Sequence, residues 1–392
     1  MYKKTNKLLM AATLTTVSAA HAMTPLTDAD LSDVTGQSFI EIDSFVHNQT
    51  EFTRIGLGAR IELQATAQKL SLGEYNGGAD IDIDNFSLGY IENHAFYSAN
   101  PSAVRQYKDI GSKTPYGDGE IVPFTIENPF LEFAYDLVTN EIVGIRLSFG
   151  EAMGMLSGQI NALSGNVDVK ITATGDQLVH AQKVPDYDSA WDNLIFSVAQ
   201  AALNDNPVQA DAYLVDPATG NPNNYRATHI GLPDGHALTF YDVGWLLYQS
   251  RLIHSSLTGS TESCGLFCTT YNLHAVSQDC QVLGRITCFE LRNYNSLPIG
   301  QISGSGNNRY LSGPADGLFL SFQTKAVEYL HNIPAHQGGA NPDSNRVLAA
   351  AGGFLNIPTG GIEINLQDAF GGLPMRRLEH INRAHTSGIN LF

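Results

Sequence analysis

Residues 55–67 read IGLGARIELQATA, and apolar side chains occupy every second position of this stretch. Successive side chains of a β-strand point to opposite faces. The alternation therefore predicts a long strand, or a bent pair of strands, with one dry face and one wet face. The apolar positions are Ile55, Leu57, Ala59, Ile61, Leu63, Ala65 and Ala67.

The same period of two recurs along the chain. Residues 131–149 predict two strands joined by a short turn at Thr139 and Asn140, a hairpin whose outer face carries the polar side chains. Shorter alternating runs lie at residues 81–90, 167–171, 318–322 and 362–366. We therefore predict a mainly β fold with a minor helical part: an antiparallel β-domain, either a sandwich or an irregular β-roll, plus a disulfide-containing C-terminal region.

One stretch has the spacing of a helix. Ser189 followed by Asp192 resembles a capping box. The apolar residues that follow form one stripe of a helix: Trp191, Leu194, Ile195, Val198 and Ala202. We expect this helix to lie over an edge or open end of the β-domain.

The chain opens with the three parts of a secretory signal. Lysines at positions 3, 4 and 7 precede an apolar run that closes with Ala20-His21-Ala22, a small-x-small cleavage pattern. The run is shorter than the roughly 20 residues needed to cross a bilayer. We predict cleavage after Ala22, export of the mature chain, and no transmembrane helix in it.

The mature chain is strongly acidic. The 22 basic residues fall to 19 without the three lysines of the signal, while the 39 acidic residues remain, so the net charge becomes 19 − 39 = −20. Such a surface repels nucleic acid and anionic lipid, and nucleic acid is therefore not an expected partner. A basic run, residues 376–383, is interpreted as a solvated terminal helix, with contact to an anionic surface as the alternative.

Composition and turn signals suggest five segments: a signal peptide (1–22), a short N-terminal helix motif (23–37), a β-rich domain (38–175), a helix-containing mixed region (176–260) and a β-rich region with four cysteines (261–392). The four cysteines are Cys264, Cys268, Cys280 and Cys288. An even, clustered set in an exported chain predicts two disulfides, with three pairings open. Zinc is the rival interpretation, although the spacings lack the usual C-x2-C knuckles.

Asp80, Asp82 and Asp84 form the sharpest local feature. In a strand their carboxylates share one face, about 6.6–7 Å apart, where a hard cation such as Ca²⁺ would relieve their repulsion. A solvated strand face explains the same residues, and the stretch lacks the spaced ligands of a known calcium motif. We name the three aspartates as candidate metal ligands and expect no other cofactor.

Enzyme motifs are lacking in the sequence. It contains no G-x-S-x-G nucleophile elbow, no H-E-x-x-H zinc motif and no phosphate-binding glycine loop. The histidine pairs His331/His336 and His380/His385 are spaced so that neither pair can easily hold one metal ion. We predict that the chain is not an enzyme, and we keep a hydrolase of unrecognised type as an alternative.

Residues 26–37, LTDADLSDVTGQ, follow the signal closely. Together with the signal they resemble the start of a group of Gram-negative secreted proteins, some of them described as pilus-assembly or Fil-type surface proteins. Mature chains of that group carry a similar L-x-x-x-x-L-x-x-V-T/S-G-Q run that leads into a β-strand. Segments 128–133 and 143–147 are also similar, so the resemblance covers roughly residues 1–170. It implies a location on the surface or outside a Gram-negative bacterium, reached through the periplasm, and a filament-related role without catalytic residues.

Long two-faced strands favour assembly through a strand edge, since an exposed edge can accept a strand from another subunit. The candidate assembly strand spans residues 38–46, with Phe39, Ile40, Ile42, Phe45 and Val46 as its apolar members. We therefore expect a structural protein of a fibre, pilus or biofilm matrix that binds copies of itself or other surface proteins. The alternative is a soluble extracellular binding module for sugar, lipid or calcium.

Overall fold

The computed structural model describes residues 40–203, 205–265, 268–330, 346–365 and Arg376. Strands make up 57% and helices 12%, so the prediction of a mainly β fold with a minor helical part is confirmed. The expected signal peptide and the helix motif at 23–37 lie outside the described residues. So does Phe39 of the candidate assembly strand.

The first half of the chain supplies short strands and hairpins. Its strands are β1 Ile40–His47, β2 Thr50–Leu57, β3 Arg60–Leu63, β4 Ala65–Leu72, β5 Ile81–Leu88, β6 Tyr90–Ile91, β7 Tyr107–Asp109, β8 Thr114–Pro115, β9 Ile121–Val122, β10 Phe124–Glu127, β11 Phe130–Asp136, β12 Glu141–Ser148, β13 Glu151–Leu163 and β14 Gly165–Thr174. The stretch that opens with Ile55 is thus divided among β2, β3 and β4.

The second half continues in the same way. Its strands are β15 Pro207–Val215, β16 His229–Gly231, β17 Ala237–Phe240, β18 Leu257–Gly265, β19 Cys268–Val276, β20 Gln281–Val282, β21 Arg285–Ile286, β22 Cys288–Glu290, β23 Ser296–Ile299, β24 Gln301–Ser303, β25 Tyr310–Gly313, β26 Ala315–Asp316, β27 Phe319–Gln323, β28 Val327–Leu330, β29 Arg346–Ala349 and β30 Gly352–Asn365.

The described helices are short apart from one. They are α1 His94–Ala99, α2 Ala190–Ala202 and α3 Trp245–Gln249, with 3-10 turns at Gly175–His180, Ser250–Leu252, Leu291–Asn293 and Gly306–Asn308. Within the described residues, no helix has the length and apolar character needed to cross a membrane.

The main sheet is open and mostly antiparallel. From one edge to the other it runs through β1, β2, β11, β12, β27, β30, β14, β15, β17, β19 and β18. β14 and β30 are parallel neighbours, and a Cβ at Gly165 would lie 1.8 Å from the carbonyl oxygen of Leu355, so only glycine fits there. Strand β14 lies in the predicted β-rich domain (38–175) and β30 in the predicted region with four cysteines (261–392). One sheet therefore contains strands from both predicted segments.

A second set of strands, in the order β4, β5, β13 and β23, joins the main sheet where β23 meets β30. Side chains from both sets meet in the largest apolar cluster of the described residues, which includes Ile83, Ile160, Val169, Ile299 and Ile362. Burial of such aliphatic side chains is the main stabilising contribution to a fold of this kind.

Helix α2 and its cap are confirmed, since the Ser189 hydroxyl accepts a hydrogen bond from the Asp192 amide at 3.2 Å. The expected apolar stripe is only partly buried. Of its members Ile195 is buried, whereas three are exposed: Trp191, Leu194 and Val198. The buried side of the helix is rotated toward Phe196 and Ala199 because the Asp192 carboxylate turns inward to pair with His254.

One of the expected disulfides is present. It joins Cys280 and Cys288, which are eight residues apart in sequence. The backbones of Cys264 and Cys268 belong to the hairpin of β18 and β19, and their side chains lie outside the described part of the chain. Of the three ways to pair the four cysteines, the structure therefore agrees with the one that joins Cys280 to Cys288.

Candidate functional site

Strand β1 forms an edge of the main sheet. Among the strands that the structure describes, β1 pairs only with β2, with Ile42 opposite Ile55 and Val46 opposite Glu51. Its side chains are unusually open to solvent: Ile42 is 70% exposed and Val46 is 62% exposed. An exposed edge strand with apolar side chains is a template for pairing with another chain.

The apolar side chains of β1 continue across four more strands on the same face of the sheet. Cross-strand register places these residues side by side on β1, β2, β11, β12 and β27. We call this surface the outer face and define it by Ile40, Ile42, Val46, Ile55, Leu57, Leu131, Phe133, Tyr135, Ile142, Ile145, Leu147 and Phe322. Each of them is exposed or half-buried. Three polar residues, Ser44, Glu51 and Thr53, interrupt this face, but soluble monomers rarely leave so broad an apolar surface open, so the outer face is a candidate interaction site.

The opposite face of the same strands, the inner face, is covered by the hairpin of β28 and β29, whose apolar side chains pack against Phe52, Ala134 and Phe319. At its centre the Glu132 carboxylate accepts two hydrogen bonds from Arg54, at 3.0 and 2.9 Å, and pairs with Arg146 at 2.7 Å. Glu132 and Arg146 are fully buried, and Arg54 is nearly so. We call these three residues the buried charge triad.

Aromatic rings complete the surroundings of the triad. The Arg146 guanidinium lies 4.9–5.1 Å from the ring centres of Phe130, Phe319 and Tyr329, within the range of cation–π attraction. Burial lowers the pKa of Arg146 to about 10, opposed by the charge of Glu132. Arg146 also donates to the carbonyl oxygen of Leu330, which ties the covering hairpin to the sheet.

The prediction that the hairpin at 131–149 turns its polar side chains outward is therefore wrong. The hairpin exists, but Glu132 and Arg146 point inward while Ile145 and Leu147 point to solvent. The physical reason is pairing in register: Glu132 lies opposite Arg54 on one side and opposite Arg146 on the other. Charges that neutralise one another can be buried together. The apolar side chains of these strands then face outward, because they alternate along each strand with the buried charged residues.

The three candidate metal ligands do not form one site. Asp80 is buried, and its carboxylate accepts hydrogen bonds from Arg226 at 3.0 Å and from the Gly353 amide at 2.7 Å. Asp82 and Asp84 share Lys69, whose Nζ lies 2.9 and 3.5 Å from them. Hydrogen bonding from Asn161 is the main cause that lowers the pKa of Asp84. Among the described residues, no group of three or more histidine, cysteine or acidic side chains is arranged to hold a metal ion.

A smaller apolar surface lies away from the outer face. It comprises exposed side chains of α2 and of the segment around α3: Trp191, Leu194, Val198, Trp245, Leu246, Leu252 and Ile253. The ion pair of Asp192 with His254 brings these two segments together. Strand β18, the other edge of the main sheet, adjoins this surface and pairs only with β19 among the described strands, but its sequence, LTGSTESCG, carries few apolar residues.

Comparison of the chain with known proteins finds no matching family model, no similar curated protein and no similar solved structure. Function is therefore inferred from the geometry of the strand edge and of the outer face.

Proposed function

We propose that this protein is an exported structural subunit that assembles with copies of itself through β1 and the outer face. The observation that supports this function most strongly is the continuity of an open edge strand with a broad apolar sheet face. The resemblance of residues 26–37 to filament-related surface proteins points in the same direction. A fibre, pilus or biofilm matrix at the surface of a Gram-negative bacterium is the expected setting.

The sequence of β1 suits antiparallel pairing with the β1 strand of a second copy. With Ser44 at the centre, Ile42 lies opposite Val46 of the second copy, and Glu41 lies opposite His47. Opposed apolar residues and an acidic residue opposite a basic one are favourable cross-strand pairs. A register centred on Asp43 would instead place two carboxylates face to face, which is unfavourable.

The size of the outer face also fits a second copy. Five strands spaced about 4.8 Å apart, each about eight residues long at about 3.4 Å per residue, cover roughly 600 Å² in projection. Stable protein interfaces bury about 800 Å² of accessible surface on each partner, so the outer face is close to the size of one interface. Because pairing through β1 extends the sheet in its own plane, the copy that pairs with β1 leaves the outer face open, and a further copy covers that face.

The edge-strand role predicts that Ile42→Lys prevents assembly, because a lysine on an edge strand opposes strand addition. The experiment compares the chain from residue 23 onward with this variant by light scattering after size exclusion and by electron microscopy. We expect filaments or large oligomers from the first and monomers from the second.

Leu246→Lys is the matched control, since Leu246 is 81% exposed and lies off the outer face. This variant should assemble like the unchanged chain. A monomeric unchanged chain, or normal assembly of a variant that lacks residues 23–46, would contradict the proposed function.

A further inference from the structure

The C-terminal basic run contains one residue whose surroundings the structure describes. Arg376 is 7% exposed, and its backbone amide donates a hydrogen bond to the Ser296 hydroxyl at 2.5 Å. The expectation that the run is a solvated helix is therefore wrong for this residue. Taking a guanidinium out of water is costly unless a dedicated site receives it.

Such a site is present at α1 and the strand before it. The Arg376 guanidinium carbon lies 4.4 Å from the ring centre of Phe96, 4.8 Å from that of Tyr97 and 5.1 Å from that of Tyr90. Its Nη1 also donates to the Tyr97 hydroxyl at 3.3 Å. Three aromatic rings around one cation form an aromatic cage, the arrangement by which proteins recognise organic cations.

A buried carboxylate completes the cage. Glu92 is 4% exposed, and its Oε2 accepts hydrogen bonds from the hydroxyls of Tyr90 and Tyr97, both at 3.5 Å. Burial raises the pKa of Glu92, and the charge of Arg376 opposes that rise. The cation and the carboxylate thus affect each other within one enclosed site.

We propose that Tyr90, Glu92, Phe96 and Tyr97 form a receptor for an arginine-containing peptide, and that the C-terminal segment of this chain occupies it through Arg376. The planar guanidinium suits this cage because it can stack on aromatic rings and donate a hydrogen bond at the same time. A small cleft lined by Asn100, Pro298 and Glu363 adjoins Arg376. The receptor function is separate from assembly through β1.

The test uses the full chain with Arg376→Ala, which removes the arginine that contacts all three rings and keeps Arg105, which lies 4.2 Å from the ring centre of Tyr97 alone. A peptide of residues 373–380, LPMRRLEH, should bind this variant saturably by calorimetry. The same peptide with alanine in place of Arg376 should bind at least tenfold more weakly. A peptide with alanine in place of Arg377 is the matched control, because it has the same charge as the peptide with alanine in place of Arg376. This control should bind like the unchanged peptide. Equal binding of the three peptides, or binding of none, would overturn the proposal.

A second measurement requires no variant. Phenylglyoxal modifies accessible arginines, and mass spectrometry of the unchanged chain should show modification of Arg376 at least tenfold slower than modification of Arg60, whose side chain is 57% exposed. Equal rates would overturn the proposal. In the Arg376→Ala variant, carboxyl NMR should show a higher pKa for Glu92 than in the unchanged chain, because the opposing cation has been removed.

Discussion

Replacement of Glu132 by alanine should lower the free energy of unfolding by about 3–5 kcal/mol, the usual cost of removing one partner from a buried ion pair. The cost is expected to be high because two arginines depend on this carboxylate and Arg146 is fully buried. The measurement is the denaturant dependence of unfolding, made in the Ile42→Lys background that keeps the chain monomeric and compared with that background alone.

Glu141→Ala is the control, because Glu141 lies in the same hairpin but is exposed. It should change the unfolding free energy by less than about 0.5 kcal/mol. Simultaneous replacement of Arg54, Glu132 and Arg146 by Met, Leu and Met should be nearly neutral, since well-packed apolar residues can replace a buried charge cluster. Equal stability of the Glu132→Ala and Glu141→Ala variants would show that the triad does not hold the inner face together.

The second large effect concerns association. Two lysines in place of Ile145 and Leu147 should weaken self-association at least about 100-fold, because each would place an unpaired charge inside a desolvated interface. The stability of the single subunit should change little, since both side chains are already about 40% exposed. Sedimentation of the variant and of the unchanged chain over a range of concentrations gives the two dissociation constants.

Lysines in place of Val179 and Leu246 form the matched control, because both residues are exposed and lie off the outer face. This control should associate like the unchanged chain. Should the double variant at Ile145 and Leu147 associate just as tightly, the outer face would have no part in assembly.

The strands of this protein could be predicted from its sequence, but the side of each strand that faces the core could not. Alternation at 131–149 identifies the hairpin, and the short turn at Thr139 and Asn140 identifies its closure. Which face is buried depends on Arg54 and Glu132, which are 78 residues apart and meet only through the register of β2 with β11. A charged residue at the middle of each of several apolar strands is the signal that could have indicated the triad.

The candidate site was predictable in part. The edge strand could be located from residues 38–46 because they are rich in β-branched and aromatic side chains and precede a second two-faced run. The cage around Arg376 could not, since its aromatic residues lie about 280 positions earlier in the chain and no local pattern links them to the C-terminal segment. For the three aspartates, the local spacing suggested a shared metal site. Asp80 instead accepts a hydrogen bond from Arg226, which lies 146 residues away and which the local spacing does not indicate.

Hydrogen exchange of the backbone amides of residues 41–47 tests the role of β1 most directly. These amides lie in a strand that pairs on one side, with β2, among the described strands. In the assembled protein we expect the amides that point away from β2 to exchange at least tenfold more slowly than in the dispersed Ile42→Lys variant, because a strand of a second copy protects them. Unchanged exchange across β1 in fully assembled protein would contradict assembly through this edge.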